Sequence, residues 1–352
     1  MATVDELQRR FRDFGHDQES RSPFTAGLSR RLADEPTIAA LLQAAPEPQQ
    51  LPVLLFAAVH SIVLAEPDLE LAAWYPTTSS DLRGGDPFPA FARLCRARED
   101  QLQGIISTRS TQTNEVGRSA LFLPVLGRLH DEVGPVSIVD VGASAGLNLH
   151  LDAFGYRYEP GGTVNLPSTV VIETGTRGAV PVPPHVPEIT HRCGLDRSPI
   201  DIDDEQARRW LLACIWPDQR DRFDRIRAAI EIARANPAPV VAGDAVDDLR
   251  PLLDRAVGAG HAVVLNSWVL NYLADDRRRA YVRVLDDFGA DHDFSWVFAE
   301  SPAMCPGLPF GVVPSPREPL TALTIARWRD GRRTVTHLGE AHPHGYWLHW
   351  VA

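Results

Sequence analysis

The densest chemical signal in the chain is Asp140-Val-Gly142-Ala143-Ser144-Ala-Gly146. It follows the β-branched run VSIV and leads into LNLHLDAF, whose apolar residues recur at helical spacing. A strand, a tight turn of small residues and a helix are expected in that order. Small residues let the backbone approach a ligand closely. A helix beginning there would point free N–H groups and its positive dipole end at the same ligand. Asp140, at the strand end, suits a cationic group on that ligand.

Two ligand classes use such a turn. In dinucleotide enzymes it holds a pyrophosphate; in S-adenosylmethionine enzymes it faces the amino-acid end of the cofactor. The pattern D-x-G-x-x-x-G resembles the second more than G-x-G-x-x-G, because position 144 is Ser. Contacts to S-adenosylmethionine are therefore expected from Asp140, Gly142, Ala143, Ser144 and Gly146. HRCGLD ends a second strand at Asp196, where Rossmann-type sheets carry the acid that holds the ribose hydroxyls. The separation, 196 − 140 = 56 residues, exceeds the usual ~20. Residues 155–188, with paired glycines and a Pro-rich stretch, are accordingly read as an insertion. VVAGDA ends a third strand at Asp244 and Ala245, expected near the adenine amino group. VVLNSWVLNYL ends a fourth at Asn266 and Ser267, with Tyr272 beyond, and these are expected to border the transferred methyl. Each is also an ordinary strand-end polar residue or helix cap; the order in which they occur carries the cofactor reading.

GASAG also matches G-x-S-x-G, the nucleophile elbow of α/β-hydrolases, with Ser144 as nucleophile and Asp244 with His342 or His344 as partners. A hydrolase places several strands before its elbow, whereas helical sequence precedes this one. A non-catalytic protein that keeps the fold to bind an adenosyl ligand is a third alternative.

The segment STRSTQTNEVGRSALFLPVL is dense in polar groups. On a helix Thr111 and Glu115 share a face, as do Asn114 and Arg118. One reading makes Arg109, Gln112, Asn114 and Arg118 substrate-binding residues with Glu115 as base; the other is a capped helix start with surface ion pairs, which composition alone favours. The histidines of HPHGYWLH match no standard metal spacing, so no metal is expected. His60, within an apolar helix, reads as a satisfied core residue. Arg277, Arg278 and Arg279 read as a solvated helix face.

These groups need elements to position them. Residues 1 to about 130 show apolar spacing of three and four in ELQRRFRDF, TAGLSRRLADEP, LPVLLFAAVHSIVLA and FPAFARLCRAREDQLQGIIS. From about 131 onward strands alternate with helices, which implies a mostly parallel sheet covered on both faces. After Glu300 a Pro- and Gly-rich loop runs to about Pro319, followed by two alternating segments, TALTIARWR and GYWLHWVA, separated by DGRRTVTHL with a hairpin turn at DGR. The expected organisation is a helical N-terminal domain, 1–130, and an α/β domain, 131–352.

Composition narrows the function classes. Of 352 residues 44% are hydrophobic and 23% charged, ordinary for a soluble protein, and the net charge is −11. An acidic surface repels nucleic acid and anionic lipid. No apolar run is long enough to span a bilayer, and MATVDELQRR lacks the apolar core of a secretory signal. Cys95, Cys193, Cys214 and Cys305 form no CxxC pair and suit a reducing cytoplasm. The sequence contains no lysine, which excludes Schiff-base chemistry and the P-loop and kinase lysines.

The whole chain resembles a bacterial family catalogued as domain of unknown function 2332, grouped with Rossmann-like methyltransferase folds. The resemblance is carried by RSPFTAGLSRRLADEP, LLFAAVH, LAAWYP, RSTQTNEVGR, VDVGASAGLNLHLD, RCGLDRSPIDI, IWPDQRDR, GDA and NSWVLNYL. It implies a class I methyltransferase-like sheet with a helical N-terminal cap, and it raises Arg109, Gln112, Asn114, Glu115 and Arg118 to functional candidates. One departure is Asn266, where His is expected. The resulting expectation is methyl transfer from S-adenosylmethionine to a small or medium polar metabolite, in a cytoplasmic protein whose oligomeric state, monomer or homodimer, is open.

Overall fold

The computed structural model describes residues 1–304 and 320–352. The Pro- and Gly-rich loop expected up to about Pro319, with Cys305, falls outside the described residues. The fold is α/β, with helices and one large mixed sheet. It divides into two compact units, residues 1–113 with 201–227 and residues 114–200 with 228–352. The boundary expected near residue 130 therefore lies between Thr113 and Asn114, inside the polar segment, and residues 201–227 join the N-terminal helices.

Unit 1 is helical. It contains α1 (Val4–Asp17), α2 (Pro23–Leu32), α3 (Pro36–Ala39), α4 (Pro52–Ala65), α5 (Phe88–Ala97) and α6 (Glu99–Thr108). Local chemistry sets the starts: Thr3 and Glu6 form a reciprocal capping box at α1, and Ser22 caps α2 just ahead of Pro23. Helix α4 is apolar on nearly every face, and residues from Leu54 to Val63, Ser61 excepted, are buried, its apolar ones in a core with Leu7, Phe11, Phe91 and Ile106. Trp210 joins this core and donates its indole N–H to Ser110 O at 2.9 Å, which is why the sequence-distant 201–227 segment belongs here. His60 is a satisfied core residue: Nδ1 lies 3.1 Å from the Ala213 and Ile215 carbonyls and Nε2 lies 2.8 Å from Thr77 Oγ1. Burial pushes its pKa down to about 4.

Unit 2 starts with α7 (Ser119–Val133), and its strands are β1 (Val136–Val141), β2 (Gly155–Glu159), β3 (Gly162–Val164), β4 (Val171–Arg177), β5 (Ile189–Asp196), β6 (Val240–Ala242), β7 (His261–Ser267), β8 (Phe294–Glu300), β9 (Thr321–Arg329), β10 (Arg332–Ala341) and β11 (Trp347–Trp350). The remaining helices are α8 (Glu205–Ala213) in unit 1, α9 (Arg220–Ala235), which runs across the boundary, and α10 (Arg250–Val257) and α11 (Asp275–Gly289) in unit 2. The sheet order is β3-β2-β4-β11-β10-β9-β8-β7-β1-β5-β6. Strands β6, β5, β1, β7 and β8 run parallel, so their C-terminal ends share one edge. Strands β1 and β8 are buried throughout, as expected for the centre of a parallel sheet. Beyond β8 the strands β9, β10 and β11 follow antiparallel.

Two sequence expectations change here. The presumed connection DGRRTVTHL is mostly strand β10, entered through a turn with positive φ at both Asp330 and Gly331. Its first five residues are exposed, so the apolar alternation that marks a strand is missing. Residues 155–188 supply β2, β3 and β4, which extend the sheet through a parallel pairing of β4 with β11.

A polar knot ties the middle of the sheet. Asn266, in β7, is fully buried. Its Oδ1 accepts from Tyr281 Oη at 2.7 Å and Trp296 Nε1 at 2.6 Å, and its Nδ2 donates to Val141 O at 3.2 Å. One amide thus joins α11, β8 and the end of β1. Replacing Asn266 by Ala strands two buried donors, so a loss of roughly 2–4 kcal/mol is expected in urea unfolding; a loss below about 1 kcal/mol would show that the knot carries little of the stability.

Candidate functional site

The strand-end acids predicted from sequence do fall on one edge of unit 2. Asp140 is the penultimate residue of β1, Asp196 ends β5, Asp244 lies two residues past β6, and Asn266 and Ser267 end β7. The same logic applied to FSWVFAES adds a residue the motif search passed over: Glu300 ends β8 and is fully buried. Its carboxylate accepts from the N–H groups of Val269 and Leu270, at 2.8 and 3.3 Å. That pins the loop after β7, where Trp268 has φ of 58°.

The glycine turn is built differently from its sequence reading. Gly142 and Gly146 adopt φ of 79° and 71°, and Ser144 φ of 56°. The close neighbour at Gly142 is the Val269 side chain, into which a Cβ would run directly. Ala143 is fully buried. The expected α-helix is a 3-10 segment, Leu147–Ala153, broken by non-helical angles at His150. Its first N–H, Leu147 N, is already taken by Asn114 Oδ1 at 3.0 Å. No helix dipole or open row of amides faces a ligand there, because the segment must turn at His150 to enter β2 within a few residues.

Asp196 braces this turn. One carboxylate oxygen accepts from Ser144 N and the other from Ser198 N, both at 2.8 Å. Asp244 takes Val246 N at 2.8 Å and pairs with Arg277, which also pairs with Asp247 at 2.8 Å. Arg278 donates to the Leu270 and Leu273 carbonyls. Two of the three arginines expected on a solvated face therefore have structural work. Ala245 packs in the core with Leu249 and Leu252. Tyr272 is 78% exposed, on a 3-10 turn, Leu270–Tyr272, beyond β7.

The polar segment is shared between the units. Arg109 and Gln112 belong to unit 1, where Arg109 lies 6.0 Å from the Trp210 ring. Asn114, Glu115 and Arg118 belong to unit 2 and are all buried. Arg118 donates from Nε to Pro343 O at 2.8 Å and from Nη1 to Ser267 O at 3.0 Å and Ser267 Oγ at 3.3 Å. Glu115 Oε1 accepts from Gly117 N at 3.0 Å, and Oε2 lies 3.3 Å from His344 Nδ1. With no exposed surface, Glu115 is not a base that a substrate reaches, contrary to the sequence expectation. Asn114 and Arg118 likewise hold backbone, Asn114 at Leu147 N and Arg118 at the Pro343 and Ser267 carbonyls. Asn266, expected at the transfer edge, is the knot within the sheet. His344, read from sequence only as a possible hydrolase partner, is brought beside Glu115 by folding.

The electrostatics of the edge are unusual. Burial, then the neighbouring Asp196, push Asp140 up to about 7 against the pull of Arg118. Burial pushes Glu300 up to about 7, opposed by its two backbone donors and Arg118. For the hydrolase reading, Ser144 is 5% exposed, whereas an elbow nucleophile stands open at the strand top. Asp244 and His344 are engaged with Arg277 and Glu115, and His342 Nδ1 accepts from His344 N at 3.0 Å. Among the described residues no group of three or more His, Cys, Asp or Glu side chains is arranged to hold a metal ion, and no helix is long and apolar enough to cross a membrane.

With this geometry in hand, the chain belongs to the bacterial family described as "Uncharacterized protein conserved in bacteria (DUF2332)", which matches residues 8–350. A search of curated proteins finds no match.

The raised carboxyls make stability depend on pH in a definite direction. Between the ordinary carboxyl range and about 7 the folded chain holds protons at Asp140 and Glu300 that the unfolded chain has released. Their contribution is fully present below about pH 4 and is lost as pH rises to 7. The stability of Asp140→Asn relative to the parent should therefore rise by about 1–3 kcal/mol from pH 5 to pH 8. Urea unfolding at the two values checks this, and an equal difference at both would refute a buried, raised Asp140.

Proposed function

We propose that this family member binds S-adenosylmethionine at the C-terminal edge of its parallel strands and transfers the methyl group to a small or medium polar metabolite. The observation that carries the reading is the row of acids on four of the five parallel strands, Asp196 and Glu300 at strand ends, Asp140 one residue before one and Asp244 just past one. The parallel order β6-β5-β1-β7-β8 corresponds to 3-2-1-4-5 of a doubly wound sheet, in which the order reverses about β1 and ligands sit outside the carboxyl ends. That supports a Rossmann-like, class I methyltransferase-like assignment.

The chemistry of the edge discriminates between cofactors. A pyrophosphate needs open amides or cations, whereas Leu147 N is occupied and the strand-end groups are carboxylates. A nucleoside carrying a sulfonium and an ammonium is complementary to them. When bound, the cofactor supplies an electrophilic methyl. Asp196, partly exposed and held by Ser144 N and Ser198 N, has acceptor capacity left for ribose hydroxyls. Asp140 would balance the cofactor's positive charge, and Asp244, anchored by Arg277, borders the adenine side. Ser267 and Tyr272 lie on the β7 side of the edge. Val269, against Gly142, closes part of the turn's face and limits how deeply a ligand sits.

Thermal unfolding of the full chain with S-adenosylhomocysteine tests the reading. At a hundredfold over its dissociation constant a ligand adds about 2.7 kcal/mol, which raises the melting temperature by several degrees for a chain of this size. Asp196→Asn should lose the shift and, having given up one of two backbone acceptors, melt somewhat below the parent without ligand. No shift with either S-adenosylhomocysteine or S-adenosylmethionine would sink the methyltransferase reading, and a shift with NAD alone would move the site to dinucleotides.

A further inference from the structure

We propose that this edge gives up a proton when a cationic ligand group arrives, and that Asp140 is the residue that releases it. Only the identity of the ligand rests on the cofactor reading. The other acids of the edge are matched by donors. Asp196 takes Ser144 N and Ser198 N, Glu300 takes Val269 N and Leu270 N, and Asp244 takes Val246 N and Arg277. Asp140 differs: among the described residues no hydrogen bond or ion pair reaches its carboxyl. The residue is 5% exposed, yet neither carboxyl oxygen is fully enclosed. A buried, unpartnered carboxyl thus opens onto the ends of the parallel strands.

The neighbours explain why no donor reaches it. The register places Gly194 of β5 and Leu265 of β7 beside Asp140, and neither side chain can donate. The amides of the glycine turn are used elsewhere: Gly142 N and Ala143 N go to Leu195 O, Ser144 N goes to Asp196, and Gly146 N goes to Ala143 O. Asp196, from β5, adds a like charge. Arg118, from the turn ahead of α7, holds the Pro343 and Ser267 carbonyls and acts on Asp140 without an ion pair. Cys193 of β5 and Tyr281 of α11 are the other titratable groups that sense Asp140, and burial keeps both neutral.

A carboxylate without donors, largely out of water and beside a second carboxylate, is costly. The empty edge therefore stores Asp140 as the acid, in line with its raised pKa. An ammonium or sulfonium supplies the missing counter-charge. The Asp140 O–H bond then breaks, the proton passes to water, and the electron pair stays on the carboxylate that faces the cation. Below about pH 7 the cation must displace that proton, so binding weakens as pH falls. Above it the carboxylate is already ionised and the dependence ends. The edge thus discriminates for a cation, and does so more weakly in mild acid.

Titration calorimetry of the full chain with S-adenosylmethionine, in two buffers of different ionisation enthalpy, counts the protons. At about pH 6 the ligand's own ammonium is already protonated and contributes none. About one proton should leave per ligand bound, and affinity should rise about fivefold from about pH 6 to 7. Asp140→Asn should bind more weakly, with no proton released and no such rise. Binding without proton release overturns the proposal and leaves the cofactor reading standing, and so does the same release in Asp140→Asn. Should that variant fail to fold or to bind, the proton count in the unaltered chain decides alone. No binding of either S-adenosylmethionine or S-adenosylhomocysteine at both pH values removes the cofactor reading and this proposal together.

Discussion

A buried guanidinium sets the terms for the rest of unit 2. Arg118 sits at the start of α7 with little exposure, and both Asp140 and Glu300 feel its charge. A buried charge is tolerated only where partners surround it. Here the partners are the main-chain oxygens of Ser267 and Pro343 together with nearby carboxyls. Meeting that demand brings three sequence-distant regions to one place: the turn ahead of α7, the end of β7 and the loop between β10 and β11. Taking Arg118 away would leave two carbonyls without a strong donor and two carboxyls without a counter-charge.

Polar groups at the strand ends divide into those that build the edge and those a ligand can reach. Asn114, Glu115 and Asn266 are builders, each bound to backbone or to side chains of a neighbouring element. Asp196, Ser267 and His344 keep some exposure. The raised Asp140 and Glu300 show the cost of the arrangement, since a carboxylate taken out of water holds its proton until neutral pH.

The sequence was most legible where the signal is local. Apolar periodicity outlined the helices of unit 1 and the alternation in unit 2, because burying one face requires it. The hairpin turn at Asp330–Gly331 and the acids ending strands are likewise short-range. Glu300 could have been found by the rule that found Asp196. Strand β10 could not, because its exposed half lacks the alternation that burial imposes. The LNLHLDAF segment has helical spacing, yet its chain turns at His150 into β2.

By itself, the sequence determined the α/β character, the strand ends on which acids fall, the small-residue turn and the absence of lysine chemistry. The tertiary structure decided which of those groups face a ligand. Glu115 has the composition of a base but keeps no exposed surface, held against Gly117 N and beside His344. The unit boundary at Thr113 and the return of residues 201–227 depend on where Trp210 is buried. Exposure and pairing of this kind arise from contacts between residues far apart in the chain, and no local spacing encodes them.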